Sequence, residues 1–287
     1  FLCASIARVV LVLVGAPLLL FAGTPLLDSI VAALILLFLW RRDASRAGAA
    51  AASMTWRSDR RLMGALIRSS IPIAISGFAV VAIMQLDRMM LESLSGPEAA
   101  GIYTAAAMLS GAWYAIPVII GASVAPTLTE LFDHDRAGYR KRLSQVHGAV
   151  CGAAIAVGLL LLLLSRPLIS LFFGERFADA APVLAIHGWT GVFVAHVSIR
   201  TRAMMIEGEE HRILFFSLLT LGAVVALNAL LIPRYGAEGA AWASLASWAL
   251  NAAAWPLLLR STRHHAFVLV RSFNPAAWFA VLSKGST

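Results

Sequence analysis

The apolar residues of this chain come in long unbroken runs, and that constrains its fold more than any other feature. A membrane span needs about 20 mostly apolar residues to cross roughly 30 Å of hydrocarbon. Eight stretches qualify: residues 1–21, 26–40, 71–94, 99–128, 146–164, 180–206, 213–232 and 239–259. Only 13% of the 287 residues are charged and 60% are hydrophobic, against about 25% charged in soluble domains. Such a chain is solvated mostly by lipid, where every backbone group must be bonded internally and only helices or closed barrels can cross. The runs far exceed the roughly 10 alternating residues of a barrel strand. The expected fold class is therefore all-α, a polytopic membrane helix bundle of about eight transmembrane helices.

Details of the pattern refine this. The second span is short, and the fourth carries Pro117 and Pro126, so a kink is expected near Pro117, where a helix hydrogen bond is lost. Segments 41–70, 129–145, 207–212 and 260–287 hold 7, 4, 1 and 4 Lys and Arg residues, sixteen in all, whereas the alternating loops 92–98, 165–179 and 233–238 hold 0, 2 and 1. That imbalance is what the positive-inside rule demands if both ends of the chain are cytoplasmic. Four regions follow: two spans in 1–40, a basic cytoplasmic linker in 41–70 with an interfacial helix expected at 57–70, six spans in 71–260, and a cytoplasmic or interfacial tail in 261–287. The net charge of +8 then anchors loops at an anionic leaflet, and no nucleic-acid partner is expected.

Composition and motifs also narrow the function. No soluble domain fits, since the longest stretch outside the spans is only about 30 residues. No Walker loop, His-Glu-x-x-His, Gly-x-Ser-x-Gly or dinucleotide fingerprint occurs, so no enzyme activity and no cofactor are expected. Cys3 and Cys151 lie far apart without partner spacing, which supports neither a disulfide nor a metal site. Glu207, Glu209 and Glu210 beside His211 and Arg212 read as a solvated cytoplasmic turn. The chain starts on Phe1, inside an apolar run, and reads as part of a longer protein.

Ionisable groups inside spans are expensive and mark candidate sites. Asp87 and Arg88 sit near the outer end of the third span, where the pair can either face a cavity or simply fix the helix end. Trp189, Phe193, His196 and Arg200 recur at spacings of 4, 3 and 4, putting aromatic surface, a titratable ring and a cation along one helix face. That face either lines a cavity or forms a packed stripe with Arg200 reaching for the inner leaflet. Arg202, about 200° around the helix from Arg200, cannot share its surroundings. Gly239, Ala243, Ser247 and Asn251, at strict intervals of four, form a small-residue packing seam.

Three stretches carry a resemblance: Leu86-Asp87-Arg88-Met89-Met90-Leu91 running through Gly101-Ile102-Tyr103-Thr104-Ala105-Ala106; Leu171-Phe172-Phe173-Gly174-Glu175-Arg176-Phe177 with Ala180 and Ala181; and Asn228 through Pro233-Arg234-Tyr235-Gly236-Ala237-Glu238-Gly239 to Ala241. Together they resemble the polysaccharide-export and O-antigen-type flippases of the multidrug, oligosaccharidyl-lipid and polysaccharide exporter superfamily. The resemblance implies two six-helix lobes around a central cavity, of which this chain would hold the last two helices of the first lobe and all of the second. It also implies a polyprenyl-pyrophosphate-linked oligosaccharide as substrate, with membrane lipids and other glycan-assembly proteins as partners. Arg200, His196, Phe193, Trp189, Arg88 and Asp87 are then the candidates to line the cavity. Other readings are a cation-coupled multidrug or small-molecule antiporter of the same fold, a membrane-embedded glycan polymerase or ligase, and a non-transporting scaffold.

Overall fold

The computed structural model describes residues 10–11, 13–14, 23–46, 59–260 and 262–272. Among these, helices account for nearly everything and no strand occurs, so the protein is an all-α membrane helix bundle. In chain order the helices are α1 (Thr24–Arg46), α2 (Arg60–Gly111), α3 (Ala115–His134), α4 (Arg136–Phe173), α5 (Ala180–Ile206), α6 (Glu210–Ala249), the short α7 (Trp255–Leu258) and α8 (Arg263–Ser272). A 3-10 turn, Ala112–Tyr114, joins α2 to α3, and a π turn, Leu250–Ala254, carries α6 into α7.

Two units divide the chain, residues 1–63 and 64–287. In the first, α1 exposes Ile30, Leu34, Leu37 and Phe38, and its apolar part, Ser29–Leu39, is shorter than a span. The expected first span, 1–21, lies almost wholly outside the described residues, as does linker segment 47–58. From Arg60 onward, four helical runs are long and apolar enough to cross a membrane: Arg60–His134, Arg136–Phe173, Ala180–Ile206 and Glu210–Leu258.

Two of those runs are folded back on themselves. Gly96 (φ 88°) interrupts α2 and Gly236 (φ 52°) interrupts α6, both in the backbone region that glycine enters without a Cβ clash. Asp87 and Tyr103 would stand roughly 24 Å apart along a straight helix, yet their side chains hydrogen-bond at 2.8 Å, so the arms on either side of Gly96 run alongside each other. The breaks fall within the expected loops 92–98 and 233–238. At the second break, a Cβ on Gly239 would stand 2.7 Å from the Leu231 carbonyl carbon. Gly239→Ala should therefore push the two arms of α6 apart and lower the apparent melting temperature in detergent by several degrees. An unchanged melting curve would show that the hairpin has slack.

The kink expected at Pro117 appears one turn earlier, as the 3-10 turn Ala112–Tyr114. Proline at 117 withdraws the donor that the carbonyl of Trp113 would use, so the irregularity lands on the preceding turn. Of the expected interfacial helix at 57–70, residues 57–58 lie outside the described residues, and from Arg60 the chain is helical as the first part of α2. Nothing between Arg60 and Ile71 breaks a helix, and Asp59 caps its start by accepting from the Arg61 and Leu62 amides. The connector before α4 shrinks likewise to Asp135, whose carboxylate accepts from the Ala137 and Gly138 amides.

Helix α5 is the hub of the second unit. It packs on α3, α4 and α6, and it contributes Leu184, Ile199 and Val197 to three separate apolar clusters. Its neighbours turn their other faces outward, as Leu160 and Leu163 on α4 and Leu218 and Leu230 on α6 show. Outward Leu rows suit a lipid solvent, whereas the buried centre of α5 is where polar groups can be matched by protein.

Candidate functional site

Within the second unit, polar side chains gather at two levels. At the first, Asp87 is 3% exposed and accepts hydrogen bonds from Tyr103 (2.8 Å), Asn228 (2.7 Å) and Ser244. These donors come from the second arm of α2 and from both arms of α6, so one carboxylate ties four helical arms together. A buried carboxylate is tolerated only with such partners. Arg88, the neighbouring residue, is only half buried and points elsewhere, because successive residues on a helix diverge by about 100°. It lines a small cavity of about 70 Å³ with Asp87 and His187, and a more open one of about 480 Å³ with Glu92 and Phe177.

The second level centres on Arg200, 2% exposed. Its guanidinium donates to the Asn251 backbone carbonyl (2.7 Å) and to Asn251 Oδ1 (2.5 Å), and it lies 5.4 Å from the Phe216 ring centre. The π turn explains the first bond. The Trp255 amide reaches the Leu250 carbonyl, five residues back, instead of Asn251 as in an α-helix. The next residue, Pro256, has no N–H. The Asn251 carbonyl thus lacks a backbone donor, and Arg200 supplies one. Arg200 Nε has no hydrogen-bond partner, and no acidic group pairs with the guanidinium among the described residues. A cavity of about 170 Å³, walled by Arg200, Ser76 and Gly77 of α2, Ser217 of α6, Trp248 and Asn251, lies against it.

The other sequence candidates on α5 lie elsewhere. His196 is fully buried against His147, ring centres 4.8 Å apart, with neither ring nitrogen hydrogen-bonded. Trp189 packs over Gly158 of α4, and Phe193 joins the cluster of Ile83, Val224 and Trp248. None of these three lines the Arg200 cavity. Their stripe is a real helix face, but α5 is enclosed by different neighbours along its length. Arg202 lies on another side, its stem packed toward Gly121 of α3.

Below Arg200, at the end of α5, Glu207 is not a freely solvated turn residue. It accepts from the Tyr139 hydroxyl at 2.8 Å and faces His265 Nε2 at 3.7 Å. Burial pushes its carboxyl up, but His265, the Tyr139 hydroxyl and the charge of His264 outweigh it and hold the group below its ordinary value. Burial pushes the His265 imidazole below the usual histidine range.

Sequence comparison adds to this geometry what the chain is similar to. Residues 1–132 match the polysaccharide biosynthesis protein family. That match contains Asp87, Arg88 and Tyr103 and ends within α3, ahead of Arg200. The chain is also 27% identical, in an alignment of 244 residues that covers 79% of the chain, to the uncharacterized membrane protein YabM of Bacillus subtilis strain 168. It spans 44% of that relative's length. No solved structure matches. That similarity is consistent with the flippase resemblance carried by residues 86–106.

Asn251, Asn228, Ser244 and His147 were not singled out as polar partners by the sequence. Their one available signal was that a buried Asp87 and a buried Arg200 must each find partners somewhere in the bundle.

Proposed function

We propose that the protein is a transporter that moves a polyprenyl-pyrophosphate-linked oligosaccharide from the cytoplasmic to the periplasmic leaflet by alternating access, making and breaking no covalent bond. Its polysaccharide biosynthesis match and membrane-spanning bundle support a polysaccharide-related transporter. One observation carries the finer reading: Arg200 is a buried cation on a cavity wall with no acidic partner among the described residues. A desolvated cation left without a carboxylate is best matched by a substrate anion, and a planar guanidinium suits phosphate oxygens. The present cavity, about 170 Å³, is smaller than the about 300–1,000 Å³ of typical ligand pockets. A head group would enter as α2 and α6 part beside Arg200, which is a step of alternating access. Asp87 favours ion coupling as the energy source, since an intramembrane acid shared by four helical arms is placed to report protonation or cation binding to all of them. A cation-coupled antiporter of the same fold is the second reading on that ground.

Sidedness follows from the basic loops. Cysteines introduced singly at Arg140 and Arg263 should resist an impermeant maleimide on intact spheroplasts, and cysteines at Ser95, Glu175 and Glu238 should react. The reverse pattern would overturn the orientation. The substrate is tested by whether the protein encoded by the intact gene restores surface glycan to a flippase-null strain. Restoration of drug resistance without glycan export would favour the antiporter.

A further inference from the structure

We infer that Glu207, His264 and His265 form a binding site for a zinc-class divalent metal ion, clipping helix α8 to the end of α5. This inference does not rest on the transport reading, and it departs from the expectation of no metal site.

One ligand atom from each of the three residues lies within 4.8 Å of the other two. The two imidazole rings are 3.9 Å apart and tilted by 37°. His265 is 1% exposed, its Nε2 has no hydrogen-bond partner, and it stands 3.7 Å from Glu207 Oε2. That separation is too long for a hydrogen bond. It is close to the roughly 3.4 Å at which two ligands sit around zinc with bonds of about 2.1 Å in a tetrahedron. A small inward movement of three side chains would complete the coordination.

The surroundings fit as well. The Tyr139 hydroxyl holds Glu207 Oε1 and leaves Oε2 directed at His265, which is the arrangement that outer hydrogen bonds give metal-binding carboxylates. The fourth position opens into a cavity of about 700 Å³ that Glu207, His264 and Tyr139 share, so water can complete the tetrahedron and the ion has an entry path. Of the two arginines on that wall, Arg136 and Arg140, Arg136 lies with its guanidinium over the Phe132 ring, 3.3 Å from the centre. Two imidazoles and one carboxylate with an open position suit zinc and its neighbours in the first transition row, not calcium or magnesium.

The site would give the tail a mechanical role. Glu207 ends α5 seven residues after Arg200, about 10 Å along the helix, and α8 also packs on α4. A bound ion would therefore stiffen the end of the bundle next to the Arg200 cavity. The test uses the purified protein in detergent, stripped with a chelator and titrated with Zn²⁺, the bound metal being counted by mass spectrometry. One saturable ion per chain is expected. His264→Ala, at an exposed position, should weaken binding by about 100-fold or more, and Tyr139→Phe by about 10- to 100-fold as for loss of an outer partner. Co²⁺ in place of Zn²⁺ should show the intense visible bands of a tetrahedral site in the wild type and lose them in His264→Ala. No saturable ion in the wild type, or zinc held equally by wild type, His264→Ala and Glu207→Gln, would overturn the proposal.

Discussion

Replacing Arg200 by alanine in the protein encoded by the intact gene is expected to abolish glycan export at near-normal membrane abundance. A diphosphate carried through the bundle must shed water, and several kcal/mol of that loss can be offset only by a cation held where water is scarce. On the proposed reading Arg200 supplies that cation, with two nitrogens anchored on Asn251 and Nε unpartnered. The variant also orphans the Asn251 carbonyl, which costs about 1–3 kcal/mol, so thermal stability must be read alongside export. Arg200→Lys should keep part of the activity, because an ammonium can reach either Asn251 or a phosphate but cannot fork across both. Arg202→Ala should do little, since Arg202 lies on another side of α5. Export lost in proportion to melting temperature, equally in the lysine and alanine variants, would make Arg200 a brace for the π turn and nothing more.

The largest stability loss is expected from Asp87→Ala, at about 3–5 kcal/mol. Removing the carboxylate leaves the Tyr103 hydroxyl, the Asn228 amide and the Ser244 hydroxyl without their acceptor inside the bundle. Tyr103 and Ser244 stand 3.3 Å apart and can turn to each other, so the loss falls short of three full orphaned donors. Asp87→Asn keeps the volume and one acceptor oxygen, and should cost about half as much. Thermal unfolding in detergent, followed by tryptophan fluorescence, would order the three proteins as wild type, Asp87→Asn, Asp87→Ala. An alanine variant as stable as wild type would mean that the carboxylate is not the tie between the arms of α2 and α6. If Asp87 also couples transport to an ion, Asp87→Asn should lose export well before it loses stability.

The helices were legible in the sequence because lipid imposes one rule on every residue of a span. The expected bounds of the sixth span, 180–206, coincide with α5, and the loops around Gly96 and Gly236 fall where apolar runs are interrupted by turn residues. Continuity was less legible. Nothing in the residues from Arg60 to Ile71 says whether a basic helix lies on the membrane or runs straight into it, since both have the same composition.

The polar partnerships were not legible at all, for a reason of distance. Asp87 finds Asn228 and Ser244 at separations of 141 and 157 residues, which depend on how the helical arms are stacked. Asn251 reads as the last member of a small-residue seam, and Gly239, Ala243, Ser247 and Asn251 are indeed all buried. Its second role, accepting from Arg200, arises only because Pro256 and a π turn strip its carbonyl of a backbone donor. The aromatic stripe on α5 left two readings open, a cavity wall or a packed face. Its spacing was correct, but periodicity shows which residues share a face and not whether that face meets a cavity or another helix. Glu207 looked solvated for the same reason, since the helix that brings His265 to it begins 56 residues later in the sequence.

The central claim, that the protein carries a lipid-linked oligosaccharide between leaflets, is tested most directly by reconstitution. The purified protein would be placed in liposomes containing a radiolabelled polyprenyl-pyrophosphate oligosaccharide confined to the inner leaflet, with an impermeant glycosidase outside. The account predicts that wild-type and Arg202→Ala proteins expose the glycan to the enzyme over minutes, while Arg200→Ala leaves it protected as in protein-free liposomes. Glycan that stays protected with correctly folded wild-type protein under an imposed proton or sodium gradient, or equal exposure with wild type and Arg200→Ala, would contradict it.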